Sequence, residues 1–187
     1  MSYGKYSYYI LCEDRAHFNF VYGYLTKKGV NSRKIYPAKD FPEGKRDAKN
    51  FVRLNYAEEI KKIHQRPVNT VLIVFRDADK ENAEDIVDSF DNKNKNVFVA
   101  SPKRNIETWF YYFHHKDDEK NKTECANETV DRKGGRREKF LYKHTWCGGQ
   151  FVDIINGIKN GQVPLYLPPS LNATAVRVIE YEKNYHG

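Results

Sequence analysis

Cysteine is scarce in this chain. Cys12, Cys125 and Cys147 are the whole set, with no CxxC pair and no even number to close into bridges. That excludes a disulfide framework and a cysteine-rich zinc site, and points to a reducing compartment. Long apolar runs are missing too. The amino-terminal MSYGKYSYYILCED holds one short apolar stretch, interrupted by Lys5 and closed by acids, too short for a signal-peptide core or a membrane span. A cytoplasmic protein with no membrane partner is the expectation. None of the six histidines shows zinc spacing such as HExxH, and no cysteine stands in a recognisable motif with a histidine and an orienting acid. There is no internal repeat.

What is present is a large aromatic complement, 14 Tyr and 11 Phe in 187 residues. One domain of ordinary size can be driven to fold by burial of those rings. Lysine and arginine number 32 against 25 acids, a net charge of +7, which favours association with phosphate polymers.

Strands and helices alternate along the chain. Tyr6–Cys12 (YSYYILC) is a β-branched and aromatic run ending at Glu13-Asp14, and Phe18, Val21, Tyr22 and Leu25 follow at helical spacing. Asp14 is placed to cap that helix and Gly29 to end it. Ser32–Ala38 is expected to form a second strand, and the period of Phe51, Leu54, Ala57, Ile60 and Ile63 a helix from about Arg46 to Gln65, closed by Pro67. VNTVLIVF is the most continuously apolar segment, as suits a central strand covered on both faces, and it runs into Arg76-Asp77-Ala78-Asp79. Ala83–Phe90 predicts a third helix, Asn96–Ala100 a fourth strand, and Ile106, Trp109, Phe110 and Phe113 another helix. The expected fold is α/β, a mostly parallel, doubly wound sheet flanked by helices. His114–Lys139 is polar and nearly free of apolar residues, hence an exposed insertion. Two helices, one around Phe151–Ile158 and one over Leu171–Glu182, would form a carboxyl-terminal extension. The division is a core of 1–115, an insertion of 116–139, and an extension of 140–187 packed on the core.

Open parallel sheets bind ligands just beyond the carboxyl ends of their strands. Glu13 ends the first strand, and Asp77 and Asp79 end the central one. In an extended segment alternate residues point the same way, so Asp77 and Asp79 could present both carboxylates to one ion with Ala78 turned aside. The bland alternative is that one Asp caps the following helix and the other is merely exposed. Glu107, in the first turn after the fourth strand, faces the same edge. Carboxylates crowded together repel one another unless a cation is present, and hard oxygen ligands suit Mg²⁺ or Mn²⁺.

In this order, ILCED, VLIVFRDADK and PKRNIETWF resemble the Toprim fold of topoisomerases, primases and nucleases. The last element is similar to the IE-x-W signature of the stand-alone Toprim proteins related to OLD and RloB-like nucleases of bacterial anti-phage defence. The resemblance covers about residues 5–115. It implies a Rossmann-like Toprim core and a Mg²⁺- or Mn²⁺-dependent nuclease cutting DNA or RNA, tRNA included. It also implies a role as effector of a bacterial defence or toxin system, restrained by a partner ATPase. Glu13 would hold a metal or act as general base, Asp77 and Asp79 would bind the ion, and Glu107 would join the catalytic set. Where the family carries Gly after the first Glu, this chain has Asp14. That keeps open a non-catalytic module using the metal to bind a nucleotide or nucleic acid. A receiver-like regulatory domain is a third class, against which the IETWF element argues.

Lys39, Arg76, Lys80, Lys103 and Arg104 lie at strand ends or in adjoining loops and are candidates for a phosphate backbone. Arg136 and Arg137, in a glycine-hinged basic run, and Lys143 are further candidates, weighed against plain solvated charge. His17, one helical turn after Glu13, could touch the site, but a surface or packing role is the default. Trp109 has the spacing of a core anchor. Trp146, beside Cys147-Gly148-Gly149, has flanks that look irregular.

Overall fold

The computed structural model describes residues 3–42, 45–66, 69–79, 81–90, 95–115, 117 and 143–185. Strand β1 is Ser7–Cys12 and helix α1 is Arg15–Lys27, with Asp14 as its extended N-cap accepting from the backbone N–H of Ala16 and His17. The helix stops where Gly29 takes a φ of 87°, a left-handed conformation that costs glycine little. The expected second strand is mostly a turn. Asn31 accepts from Arg33 N–H and winds Ser32–Lys34 into a 3₁₀ turn, leaving only Ile35–Pro37 as β2. Helix α2 (Lys45–Gln65), strand β3 (Thr70–Phe75), helix α3 (Ala83–Ser89), strand β4 (Val97–Ala100) and helix α4 (Ile106–His115) follow. Helices α5 (His144–Lys159) and α6 (Pro169–Tyr185) complete the described elements.

The sheet is four-stranded and parallel throughout, in the order β2-β1-β3-β4. Each residue of β3 is buried, as its unbroken apolar run demands. Alternate strand residues feed two cores. Tyr8, Ile10, Cys12, Val71, Ile73 and Phe75 face α1, α4, α5 and α6; Leu11, Leu72, Val74, Val97 and Val99 face α2 and α3. The molecule is a three-layer α/β sandwich, and α5 and α6 share the first of these cores with α1 and the sheet.

Trp146 belongs to regular helix, and the expectation of irregular flanks is corrected. α5 begins two residues earlier, and Gly148 is required inside it. A Cβ there would stand 1.9 Å from the Phe20 carbonyl oxygen, and one on Gly23 of α1 the same 1.9 Å from that of Thr145. The two helices touch backbone to backbone. α6 is anchored at the other end of the sheet, where buried Glu182 accepts from the hydroxyls of Tyr3 and Tyr24 and pairs with Lys28 at 2.9 Å and Lys159 at 2.5 Å. Among the described residues no helix is long and apolar enough to cross a membrane.

Candidate metal centre

The strand order reverses direction between β1 and β3. Chain segments leaving those two strands diverge, and the crevice at their carboxyl ends is where a doubly wound sheet receives a ligand. β1 and β3 are in register to their last residues, Cys12 opposite Phe75. Glu13 and Arg76 therefore emerge side by side, and Asp77 one residue beyond.

Glu13 is buried to 9% exposure and takes no hydrogen bond from any described residue. Arg76 Nε lies 3.9 Å from Glu13 Oε1. Burial, then the charge of Asp77, pushes the Glu13 carboxyl up to about 8, with His17 and Arg76 opposing and Asp79 adding to the rise. Asp77 accepts the backbone N–H of Ile106, the first residue of α4, at 2.9 Å, so the partly positive start of that helix meets a carboxylate. Burial raises the Asp77 carboxyl, and the charge of Glu107 reinforces this against the opposing pull of His17.

His17 is the residue whose place the sequence left unsettled. Its default reading as a surface or packing side chain is corrected: at 1% exposure it lies between two carboxylates, Nδ1 2.8 Å from Asp14 Oδ1 and Nε2 2.9 Å from Asp77 Oδ1. Burial works to depress the imidazole, but the two aspartates outweigh it and hold it well above its ordinary value. Asp14 moves the other way. Burial is overcome by its bonds to His17 and to the N–H groups of the first turn, and its carboxyl lies below the usual range.

Glu13, His17 and Asp77 offer ligand atoms that all lie within 4.8 Å of one another. The set fits a divalent cation, since two carboxylates and an imidazole lie close together and, among the described residues, none donates a hydrogen bond to Glu13. Asp79 contributes no oxygen to this group. The chain leaves extended geometry after β3, and Asp79 has a φ of 53°, so the alternation expected to align it with Asp77 does not apply. It is still near enough to be felt by Glu13. Ala78 is turned inward and fully buried. The following helix is capped by Asn82 rather than by either Asp. Glu107 stands half-buried in the first turn of α4, close enough to raise Asp77.

The basic candidates divide. Lys103 and Arg104 are exposed, on the loop where Asp79 N–H bonds the Arg104 carbonyl at 2.8 Å. Lys143 is exposed at the start of α5. Lys39 is partly committed, to Asn55 at 2.7 Å and Glu58 at 2.9 Å. Arg76 is internal at 4% exposure, bonded to Glu81 at 2.5 Å, with its buried Nε lacking a hydrogen bond among the described residues; a polymer backbone does not reach it in this conformation. Lys80, Arg136, Arg137 and, apart from Asp117, the 116–139 insertion lie outside the described residues. Trp109 is a core residue, fully buried, its Nε1 donating to Ser170 Oγ at 2.9 Å.

The fold and the rim define a parallel α/β protein with an acid–imidazole cluster at its topological switch point. Compared with family models, curated proteins and solved structures, the chain matches none.

Proposed function

We propose that this chain is a Toprim-type nuclease, dependent on Mg²⁺ or Mn²⁺, that hydrolyses phosphodiester bonds in DNA or RNA. The observation that carries the reading is the meeting of Glu13 and Asp77, with His17, within 4.8 Å at the carboxyl ends of adjacent strands. The order of the three sequence motifs supports it further. A divalent cation bound there would polarise the scissile phosphate and stabilise the leaving oxygen. The chain's own groups do the rest. Glu13 would hold the ion or act as general base on a water. Asp77 is fixed by the Ile106 amide, and Glu107 contributes charge from the facing helix turn. Lys103 and Arg104 are exposed and would meet backbone phosphates, in keeping with a net charge of +7. A defence or toxin role with a restraining ATPase partner is part of the same proposal and rests on the resemblance of the motifs alone.

The test is incubation with plasmid DNA and with total tRNA in Mg²⁺, Mn²⁺ or EDTA. Cleavage of at least one substrate is expected with a metal, none with EDTA, and a loss of at least 10²-fold in an Asp77→Ala variant. Metal-dependent retention without cleavage would favour the non-catalytic module. Absence of both cleavage and retention rules out either.

A further inference from the structure

His17 has the surroundings of a metal-ligating imidazole. Such rings nearly always give their other N–H to a carboxylate, a backbone carbonyl or a water, which fixes the ring and raises the basicity of the ligating nitrogen. Here Nδ1 is 2.8 Å from Asp14 Oδ1, and that same oxygen accepts the backbone N–H of Ala16 and His17. Asp14 is thereby pinned to the start of α1, and Nε2 is aimed at the rim. Facing it are Asp77 at 2.9 Å and Glu13, nine-tenths buried with no hydrogen bond from a described residue. A second, separate observation is Arg76, 4% exposed, whose buried Nε takes no hydrogen bond among the described residues and has Glu13 Oε1 only at ion-pair distance, 3.9 Å. A buried carboxylate and a buried donor left unanswered on one rim are costly. Both costs fall when a further group draws the Glu13 carboxylate into a fixed position.

We propose that His17 Nε2 is itself a ligand of the rim cation beside Glu13 and Asp77, that Asp14 is its positioning residue, and that the site takes a first-row transition ion such as Mn²⁺ over Mg²⁺. This rests on the reading that the rim binds a divalent cation, and adds the ligand set and the class of ion. Mg²⁺ is held through oxygen and keeps its waters, whereas imidazole nitrogen suits transition ions. Binding releases the Nε2 proton to solvent, and Asp77 retains its bond from Ile106.

The experiment is titration of Mn²⁺ into the full chain without nucleic acid, free ion being followed by electron paramagnetic resonance, with Mg²⁺ as competitor. His17→Gln should weaken Mn²⁺ binding by at least about tenfold and let Mg²⁺ compete more evenly, and Asp14→Asn should cost about 10–100-fold. Asparagine caps a helix as well as aspartate does, so Asp14→Asn should keep the helical content of the wild type by circular dichroism, with a lower melting temperature from the lost carboxylate–His17 pairing. In the wild-type protein, Mn²⁺ should broaden the imidazole resonances of His17 before those of His64. Equal Mn²⁺ affinity in wild type and His17→Gln, with binding lost in Asp77→Asn, overturns the part given to His17 and leaves the metal-dependent reading standing. His17 resonances that stay sharp at saturating Mn²⁺ overturn it even where a variant does not fold. A wild-type chain that binds no divalent cation overturns both.

Discussion

At the scale of single residues, Glu13 makes the stability of the fold depend on pH. Its carboxyl rises from an ordinary 4.5 to about 8 in the fold, so across that interval the native chain holds a proton that the unfolded chain has lost. The contribution to stability is complete below about 4.5 and is lost as pH climbs through about 8. A Glu13→Gln variant removes this slope. Thermal melts in EDTA at about pH 5 and about pH 9 should show wild type losing several degrees more than the variant, at roughly 2–4 °C per kcal/mol for a chain of this size. Saturating Mn²⁺ at the higher pH should restore wild type and leave Glu13→Gln unmoved; parallel slopes would count against the burial of an unpaired acid. Glu13 and Asp77 were legible in the sequence because strand ends can be read from apolar runs. His17 was not, since a histidine on a helix gives no sign of which face it occupies. The usable signal was its spacing, three residues after a capping Asp and four after Glu13.

At the scale of elements, the crossing of α1 and α5 is decided by two absent side chains. Gly148→Ala would push a methyl group to within 1.9 Å of a backbone carbonyl that cannot step aside, and should destabilise by about 1–3 kcal/mol. Gly149, next to it in the same helix, meets nothing within 4 Å. Gly149→Ala should therefore stabilise by up to about 1 kcal/mol, the ordinary helix gain over glycine. Urea titration of the two variants distinguishes them, and a matched response from both would remove the close crossing from consideration. The same glycines explain why α5 was read too short. Local propensity argues against a helix through Gly148-Gly149, and only the opposing helix supplies the compensation. β2 was read too long for a related reason: an edge strand of three residues carries too little pattern to set against the turn started by Asn31.

At the scale of the whole molecule, the alternation of strands and helices was legible from periodicity, and so was the buried character of β3. That α5 and α6 pack on the core was also expected; which face of the sheet they cover was not, because an amphipathic helix records that it has a partner without recording which. In the fold they share one face of the sheet with α1 and α4. Leu171, Ala175, Val178 and Ile179 of α6 lie in the same core as Tyr8, Ile73 and Phe75, and Glu182 is held by Lys28 and Lys159. A chain ending at residue 162 should therefore lose cooperative unfolding and bind a hydrophobic dye, as seen by calorimetry and fluorescence. Retention of a sharp calorimetric transition would make the last helix an accessory.

Asp77 accepts the amide of Ile106, and three residues further along that helix the indole of Trp109 sits at the centre of the aromatic interior. Acidic rim and hydrophobic centre are thus separated by a single helical turn of covalent chain. The proton on that one amide reports from inside the packed interior on the electrical state of the rim.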